Sequence, residues 1–346
     1  MKDFSATLIS WYKKNKRDLP WRDTQDAYKI WLSEIILQQT RVEQGRSYYE
    51  AFTTKFPTVK HLAKAPLDVV MKTWQGLGYY SRARNLHATA NIIVSEHKSV
   101  FPDSYVGLIK LKGIGPYTAA AIASFAFDER VAVVDGNVYR VLSRYFGIET
   151  PIDSNTGKIE FLQLANELIS IKHPGTHNQA IMEFGALQCK PQNPDCLNCP
   201  LNASCAALAE NKVNVLPIKE KKTKVRNRYF YYLIIEDKAK QTLIKKRIGK
   251  DIWTELFEFP LIETEKALEN KELLKKIASF FGKEKITIQK ISESRKHILS
   301  HQHIYAQFVH VKLESKLKKH EEYKIIKSKD INSFALPRLI DRYLHG

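Results

Sequence analysis

Leu111-Lys-Gly-Ile-Gly-Pro-Tyr-Thr-Ala119 is the stretch on which the reading of the fold turns. Gly113 and Gly115 permit a tight turn with exposed backbone N–H groups, and Pro116 suits the first position of a following helix. That helix continues through Ala119-Ala-Ala-Ile-Ala-Ser-Phe125. Upstream, Asp103 or Ser104 can cap a helix carrying Tyr105, Leu108 and Ile109. Two helices joined by a glycine hairpin aim N–H groups at the space beside a helix N-terminus, where an anion is favoured. Such a helix–hairpin–helix holds a backbone phosphate without reading base sequence.

Outward from this hairpin, apolar residues recur at helical spacing from Met1 to about residue 212. Breaks at Phe56-Pro57, Gly76-Leu-Gly78, Phe101-Pro102 and Thr150-Pro151 separate helices of ordinary length. Residues 1–212 are therefore expected to form one helical region. Residues 213–226 read as a basic linker whose lysines could follow a phosphate backbone. Residues 227–346 change pattern. Tyr229-Phe-Tyr-Tyr-Leu-Ile-Ile235 and the stretch from Ile304 to Val311 read as strands, and Lys271 to Phe281 as a helix. A smaller α+β domain is expected there.

The formal net charge is +18, from 55 Lys+Arg against 37 Asp+Glu. Such an excess favours polyanionic partners through counterion release. Phe4, Leu8, Trp11 and Tyr12 at helical spacing mark an amphipathic core helix, not a secretion signal. No run approaches the ~18 apolar residues a membrane span requires. A cytoplasmic protein, active as a monomer and without a membrane partner, is expected.

Two carboxylates stand out. Glu34 lies within Ile30-Trp-Leu-Ser-Glu-Ile-Ile-Leu37, amid large apolar residues, so burial should raise its pKa. Asp135 follows an apolar stretch and precedes Val138, Val141, Leu142 and Tyr145 at helical spacing. As an N-cap it should accept backbone N–H bonds, and the helix dipole should lower its pKa. One carboxyl kept protonated and another kept ionised is the division of labour that cleaves glycosidic bonds.

All four cysteines fall between Cys189 and Cys205: Cys189, Cys196, Cys199 and Cys205, with six, two and five residues between them. Two disulfides crowded into one loop of a large protein would add little. Zinc ribbons usually present two Cys-x-x-Cys knuckles, and here there is one, Cys196-Leu-Asn-Cys199. The uneven spacing suits an iron–sulfur cluster better, with structural zinc as the rival.

With these residues in view, the chain resembles the adenine DNA glycosylase (MutY) family of the helix-hairpin-helix superfamily that includes endonuclease III. The matching stretches include Arg17-Asp-Leu-Pro-Trp-Arg22, Ser33-Glu-Ile-Ile-Leu-Gln-Gln-Thr40, Gly76-Leu-Gly-Tyr-Tyr80, Val134-Asp-Gly-Asn-Val138, Glu183-Phe-Gly-Ala186 and the cysteine loop. The match is dense to about residue 217 and thinner beyond. It implies a 4Fe-4S cluster on the four cysteines and removal of adenine mispaired with 8-oxoguanine or guanine in double-stranded DNA. It implies Glu34 as general acid and Asp135 as the group stabilising the oxocarbenium-like sugar. Arg17, Trp21 and Gln179 match positions lining the adenine pocket, and Asn137 follows the catalytic aspartate. Gln39, Leu77 and Tyr79 match residues that invade or stack within the duplex.

Bifunctional relatives in the superfamily carry a Schiff-base lysine in the hairpin, and here that slot is Tyr117. The resemblance therefore implies a monofunctional glycosylase without strand cleavage. The C-terminal domain is similar to a Nudix-like module for recognising 8-oxoguanine. Gly249 and Glu255 keep the first Nudix spacing, but the Arg-Glu and paired glutamates needed for hydrolysis are missing. Leu299-Ser300-His301 stands where the family has Phe-Ser-His, which implies that Ser300 meets 8-oxoguanine. Deleting residues 227–346 is expected to reduce the preference for 8-oxoguanine and leave basal adenine removal intact. A catalytically silent DNA-binding protein is the rival reading. It predicts loss of Glu34 or Asp135, and both are present.

Overall fold

The computed structural model describes residues 2–220 and 225–346, so positions 221–224 of the expected basic linker lie outside the described residues. The chain divides into two compact units, residues 1–65 with 84–221 and residues 66–83 with 222–346.

The first unit is helical. It contains α1 (Lys2–Asn15), α2 (Ala27–Leu37), α3 (Val42–Lys55) and α4 (Val59–Lys64), while α5 (Leu67–Thr73) belongs to the second unit. The helical unit resumes within α6 (Ser81–Glu96) and continues through α7 (Tyr105–Leu108), α8 (Pro116–Phe127), α9 (Gly136–Phe146), α10 (Asn155–Leu168), α11 (Pro174–Leu187) and α12 (Ala206–Ala209). Helix α2 starts where Asp26 accepts the Tyr28 N–H at 2.9 Å. It is buried almost all round, from Tyr28 to Ile36, as an apolar core helix must be. It packs against α3 and α8. Gly175 lets α11 come close to α8: a Cβ there would lie 2.4 Å from the Ser124 carbonyl oxygen. The expected hairpin is present, with Ser104 capping α7 and Pro116 opening α8.

The first part of the presumed linker packs on this unit. Arg144 Nε donates to the Leu216 carbonyl at 3.1 Å, Ile152 N to the Ile218 carbonyl at 3.0 Å, and Leu216 is buried.

The second unit holds β1 (Arg226–Glu236), β2 (Gln241–Lys246), β3 (Phe257–Glu258), β4 (Leu261–Thr264), α13 (Asn270–Phe281), β5 (Ile286–Ile291), β6 (Arg295–Ile298), β7 (Gln302–Leu313), β8 (Lys324–Lys327) and α14 (Arg338–His345). The larger sheet runs β4-β1-β7-β5, with β6 also paired to β7, and a smaller one runs β3-β2-β8. Strands β1 and β7 are parallel, in register from Arg226–Gln302 to Glu236–Lys312. Leu273 and Ile277 of α13 pack on Leu233, Ile235, Val309 and Val311 of those central strands.

Residues 66–83 were expected within the helical region, and they cluster instead with the C-terminal unit. Lys72 Nζ donates to the Phe334 carbonyl at 3.1 Å, and Lys246 Nζ lies 2.6 Å from Asp68 Oδ1. Partners so distant along the chain leave no trace in local periodicity. No helix among the described residues is long and apolar enough to cross a membrane.

Candidate active site

Glu34 sits midway along α2 and is 6% exposed. Burial raises its pKa, and the charge of Arg22 and a hydrogen bond from Tyr117 only partly oppose this. Tyr117, in the first turn of α8, donates its hydroxyl to Glu34 Oε2 at 2.8 Å. Burial and the neighbouring Glu34 and Asp135 charges hold that phenol well above its ordinary pKa, so it remains a donor. With Tyr117 occupying Oε2, Oε1 is the oxygen left to carry an acidic proton.

Asp135 is the N-cap of α9. Its Oδ1 accepts from Asn137 N at 2.9 Å and Val138 N at 2.8 Å, and its Oδ2 accepts from Asn137 Nδ2 at 2.9 Å. The cap geometry is as expected, but the direction of the pKa shift is not. Burial raises the Asp135 pKa, and the three hydrogen bonds together with the Arg140 charge do not fully cancel it. The expectation of a lowered value counted donors and dipole and omitted desolvation. A difference between the two carboxyls persists in their partners: Asp135 receives three N–H bonds where Glu34 receives one O–H bond.

Arg140 continues this network. It donates to Asn137 Oδ1 at 2.9 Å, to the Gly185 carbonyl at 2.6 Å and to the Cys189 carbonyl at 2.7 Å. Arg140 did not stand out in the sequence, and Glu183 entered only as part of the matching stretch Glu183-Phe-Gly-Ala186, with no role of its own. Glu183, 2% exposed, takes a two-pronged ion pair from Arg17 at 2.7 and 2.8 Å and the Arg17 backbone N–H at 3.0 Å. Burial alone would raise the Glu183 pKa, yet the Arg17 bonds win and lower it. Arg17 is thus committed to an internal partner. Glu183 is the lone carboxylate of α11, and that was the local signal available in sequence.

Trp21 is buried edge-on against Tyr49, with ring centroids 5.4 Å apart. Gln179 Oε1 accepts from Tyr12 at 2.7 Å, and Gln179 lines a polar cleft of about 420 Å³ with Arg22, Asp23, Phe125 and Asp128. Gln39 is exposed with left-handed φ of 55° just beyond α2. Gly113 also has left-handed φ, 75°, and a Cβ there would strike the Asn85 side chain at 2.6 Å, so glycine is required twice over. Around Gly115 the space is open.

The four cysteines are free thiols and line one cavity with Arg144, Gln188 and Pro194. Among the described residues, no group of three or more His, Cys, Asp or Glu side chains is placed to share a single metal ion. Arg144 lies 3.5 Å from Cys189 Sγ and donates to the Lys190 carbonyl at 2.7 Å and the Pro191 carbonyl at 3.1 Å. Burial pushes the Cys199 thiol up to about 11, so a bound cation is needed to hold it as thiolate.

Three of the expected site residues belong to the second unit. Leu77 is buried, and Tyr79 is 49% exposed with left-handed φ of 48°. The Tyr79 hydroxyl and Ser300 Oγ are 2.6 Å apart, although 221 residues separate them in sequence. Ser300 lies in the turn joining β6 to β7.

Residues 32–165 match the HhH-GPD superfamily of base excision DNA repair proteins, and residues 231–346 match the NUDIX domain family. An adenine DNA glycosylase of Buchnera aphidicola (subsp. Schizaphis graminum) is 37% identical over 299 residues, 86% of this chain and 85% of that protein. The human adenine DNA glycosylase is 44% identical over 213 residues, covering 59% of this chain and 39% of its own length. A solved thermostable thymine-DNA glycosylase superposes with a TM-score of 0.57 at 29% identity, over 60% of this chain and 96% of its own.

Proposed function

Because this chain belongs to the adenine DNA glycosylase family, we propose that it hydrolyses the N-glycosidic bond of adenine paired with 8-oxoguanine or guanine in duplex DNA. The observation that carries the proposal is the pair of buried carboxyls with unequal hydrogen bonding, Glu34 and Asp135. The adenine leaves the base stack for the protein pocket before reaction. Glu34 gives its proton to a ring nitrogen as the bond from sugar C1′ to the base breaks, and the bonding electrons leave with adenine. Asp135, negatively charged, faces the oxocarbenium-like sugar that results. Water adds at C1′ and releases a proton, leaving an abasic site and restoring the acid. Arg17, Trp21, Gln179 and Asn137 are assigned to shaping the adenine pocket, and Gly113 and Gly115 to the phosphate grip. Gln39, Leu77 and Tyr79 are assigned to the duplex.

Cys189, Cys196, Cys199 and Cys205 would hold a 4Fe-4S cluster, whose iron–thiolate bonds would staple the loop. Arg144 then fastens that staple to α9, the helix that Asp135 caps. No chemical step passes through the cluster.

The test is incubation with duplexes carrying 8-oxoguanine:adenine or guanine:adenine. Free adenine should appear, with strand breaks only after alkaline treatment. Tyr117 supports the monofunctional reading, since its side chain is a neutral phenol engaged with Glu34 and offers no amine. Borohydride should trap no protein–DNA adduct with the native protein and some with Tyr117→Lys. An adduct with the native protein would overturn this assignment.

Ser300 and Tyr79 are proposed to read the base opposite adenine. Relative to guanine, 8-oxoguanine gains a donor at N7 and an acceptor at C8, and a hydroxyl can meet either. Ser300→Ala is expected to lower the ratio of 8-oxoguanine:adenine to guanine:adenine rates about fivefold, the worth of one hydrogen bond. Deleting residues 227–346 is a poorer test than it looked in sequence. Lys72 and Gln75 are bonded to residues 334–341, so truncation strips partners from the 66–83 segment as well.

A further inference from the structure

We propose that Gln75 is a specificity-positioning residue: it fastens the 76–79 loop to the 334–341 segment and thereby sets the contact between Tyr79 and Ser300. This rests on the reading of that contact as the reader of the base opposite adenine. Both ends of the Gln75 amide are engaged. Its Nε2 donates to Asp341 Oδ1 at 2.9 Å, and its Oε1 accepts from Lys72 Nζ at 2.9 Å and from Leu336 N at 3.2 Å. Lys72 reaches on to the Phe334 carbonyl at 3.1 Å.

The segment that Gln75 grips is part of the core of its unit. Ala335, Leu336, Leu339 and Ile340 are buried, and the Ala335 carbonyl accepts from Phe257 N of β3 at 2.8 Å. On the other side, Gln75 directly precedes a loop pinned by hydrogen bonds at Gly78. Gly76, Gly78 and Tyr79 all have positive φ, at 101°, 76° and 48°. The Gly78 carbonyl is held by Trp74 Nε1 at 3.0 Å and by Arg82 Nη2 at 3.2 Å. A shift at Gln75 would therefore be passed to Tyr79 and not absorbed on the way. A left-handed tyrosine costs free energy and persists only where its surroundings impose it.

The Ser300 side is fixed independently. The turn closes through Leu299 N to the Gln302 carbonyl at 2.8 Å, and the Gln302 side chain accepts from Arg228 at 2.9 Å. Arg228 also forms paired bonds to Glu263 and to Asp251, so it is itself locked. With the turn that carries Ser300 held at Leu299 and Gln302, the separation between Tyr79 and Ser300 depends on how the 76–79 loop is tethered. Gln75 supplies that tether.

The test measures single-turnover adenine release from 8-oxoguanine:adenine and guanine:adenine duplexes, using the full chain. Gln75→Leu should lower the ratio of the two rates about fivefold, and should cost nothing further in a Ser300→Ala background. Gln75→Glu, which sets two carboxylates face to face, should lower the ratio similarly. Adding Asp341→Asn should restore it by returning a donor to the pair. A merely structural role for Gln75 would lower Tm and both rates together, with the ratio unchanged. That result, or a full additive loss in the Ser300→Ala background, would overturn the proposal. If Ser300→Ala alone leaves the ratio intact, the reading of Ser300 falls and takes this inference with it. A lowered ratio in Ser300→Ala beside an unchanged one in Gln75→Leu rejects the tether alone.

Discussion

Glu34→Gln is expected to slow adenine release by roughly 10³-fold in single-turnover assays while leaving affinity for the mispaired duplex within about twofold. The amide keeps the shape of the carboxyl and can still accept the Tyr117 hydroxyl, but it has no acidic proton to give. Substantial residual turnover would remove Glu34 from the acid role. The pH dependence carries the same assignment. The acid must be protonated to act, and burial raises its pKa, so the rate should fall as pH rises through a value above that of an ordinary glutamate. This limb should be absent from whatever activity Glu34→Gln retains. Stability provides an independent check. A carboxyl whose folded pKa is raised contributes stability below its unfolded pKa and loses it as pH rises through the folded value. At neutral pH, above the unfolded pKa of a glutamate, the raised folded value means that buried Glu34 costs stability, and Glu34→Gln should have a higher Tm than the native protein. An unchanged Tm at neutral pH would mean that the carboxyl is not desolvated as described.

Asp135→Asn should reduce the rate by about 10²–10³-fold, the usual loss when charge opposite a developing cation is removed. The substitution also disturbs the cap. Asp135 accepts three N–H bonds, and an asparagine amide offers one acceptor oxygen, so its NH₂ group would face a donor. Loss of activity should therefore come with some loss of stability, and rates should be compared at a temperature where the variant is fully folded. Near-normal single-turnover rates would reject the electrostatic role. Because burial raises the Asp135 pKa, activity should also fall at low pH as this group becomes protonated. Together with the Glu34 limb this yields a bell-shaped profile whose two apparent values belong to the pair. The acidic limb should vanish in Asp135→Asn.

Much of this was readable along the chain because it depends on near neighbours. The turn at Gly113 and Gly115, the cap at Ser104, proline opening α8 and the strands β1 and β7 all follow from local pattern. The burial of Glu34 followed from its apolar neighbours on a core helix, and the Asp135 cap from a carboxylate ahead of a helical repeat. The electrostatics of Asp135 did not follow. The sequence displayed its donors, whereas its desolvation depends on how completely other elements cover it.

The sequence by itself determined a helical unit with a glycine hairpin, a four-cysteine loop, a carboxylate amid apolar neighbours, another ahead of a helical repeat, and a smaller α+β unit, since each is written within local stretches of chain. Only the tertiary structure decided that Arg17 is spent on Glu183, that Arg140 joins Asn137 to the cysteine loop, and that residues 66–83 belong with the C-terminal unit. It alone set Tyr79 against Ser300. Such pairings are made by side chains tens to hundreds of residues apart. Helical and strand periodicity reports which face of an element is buried, and carries no information about which distant group will meet it.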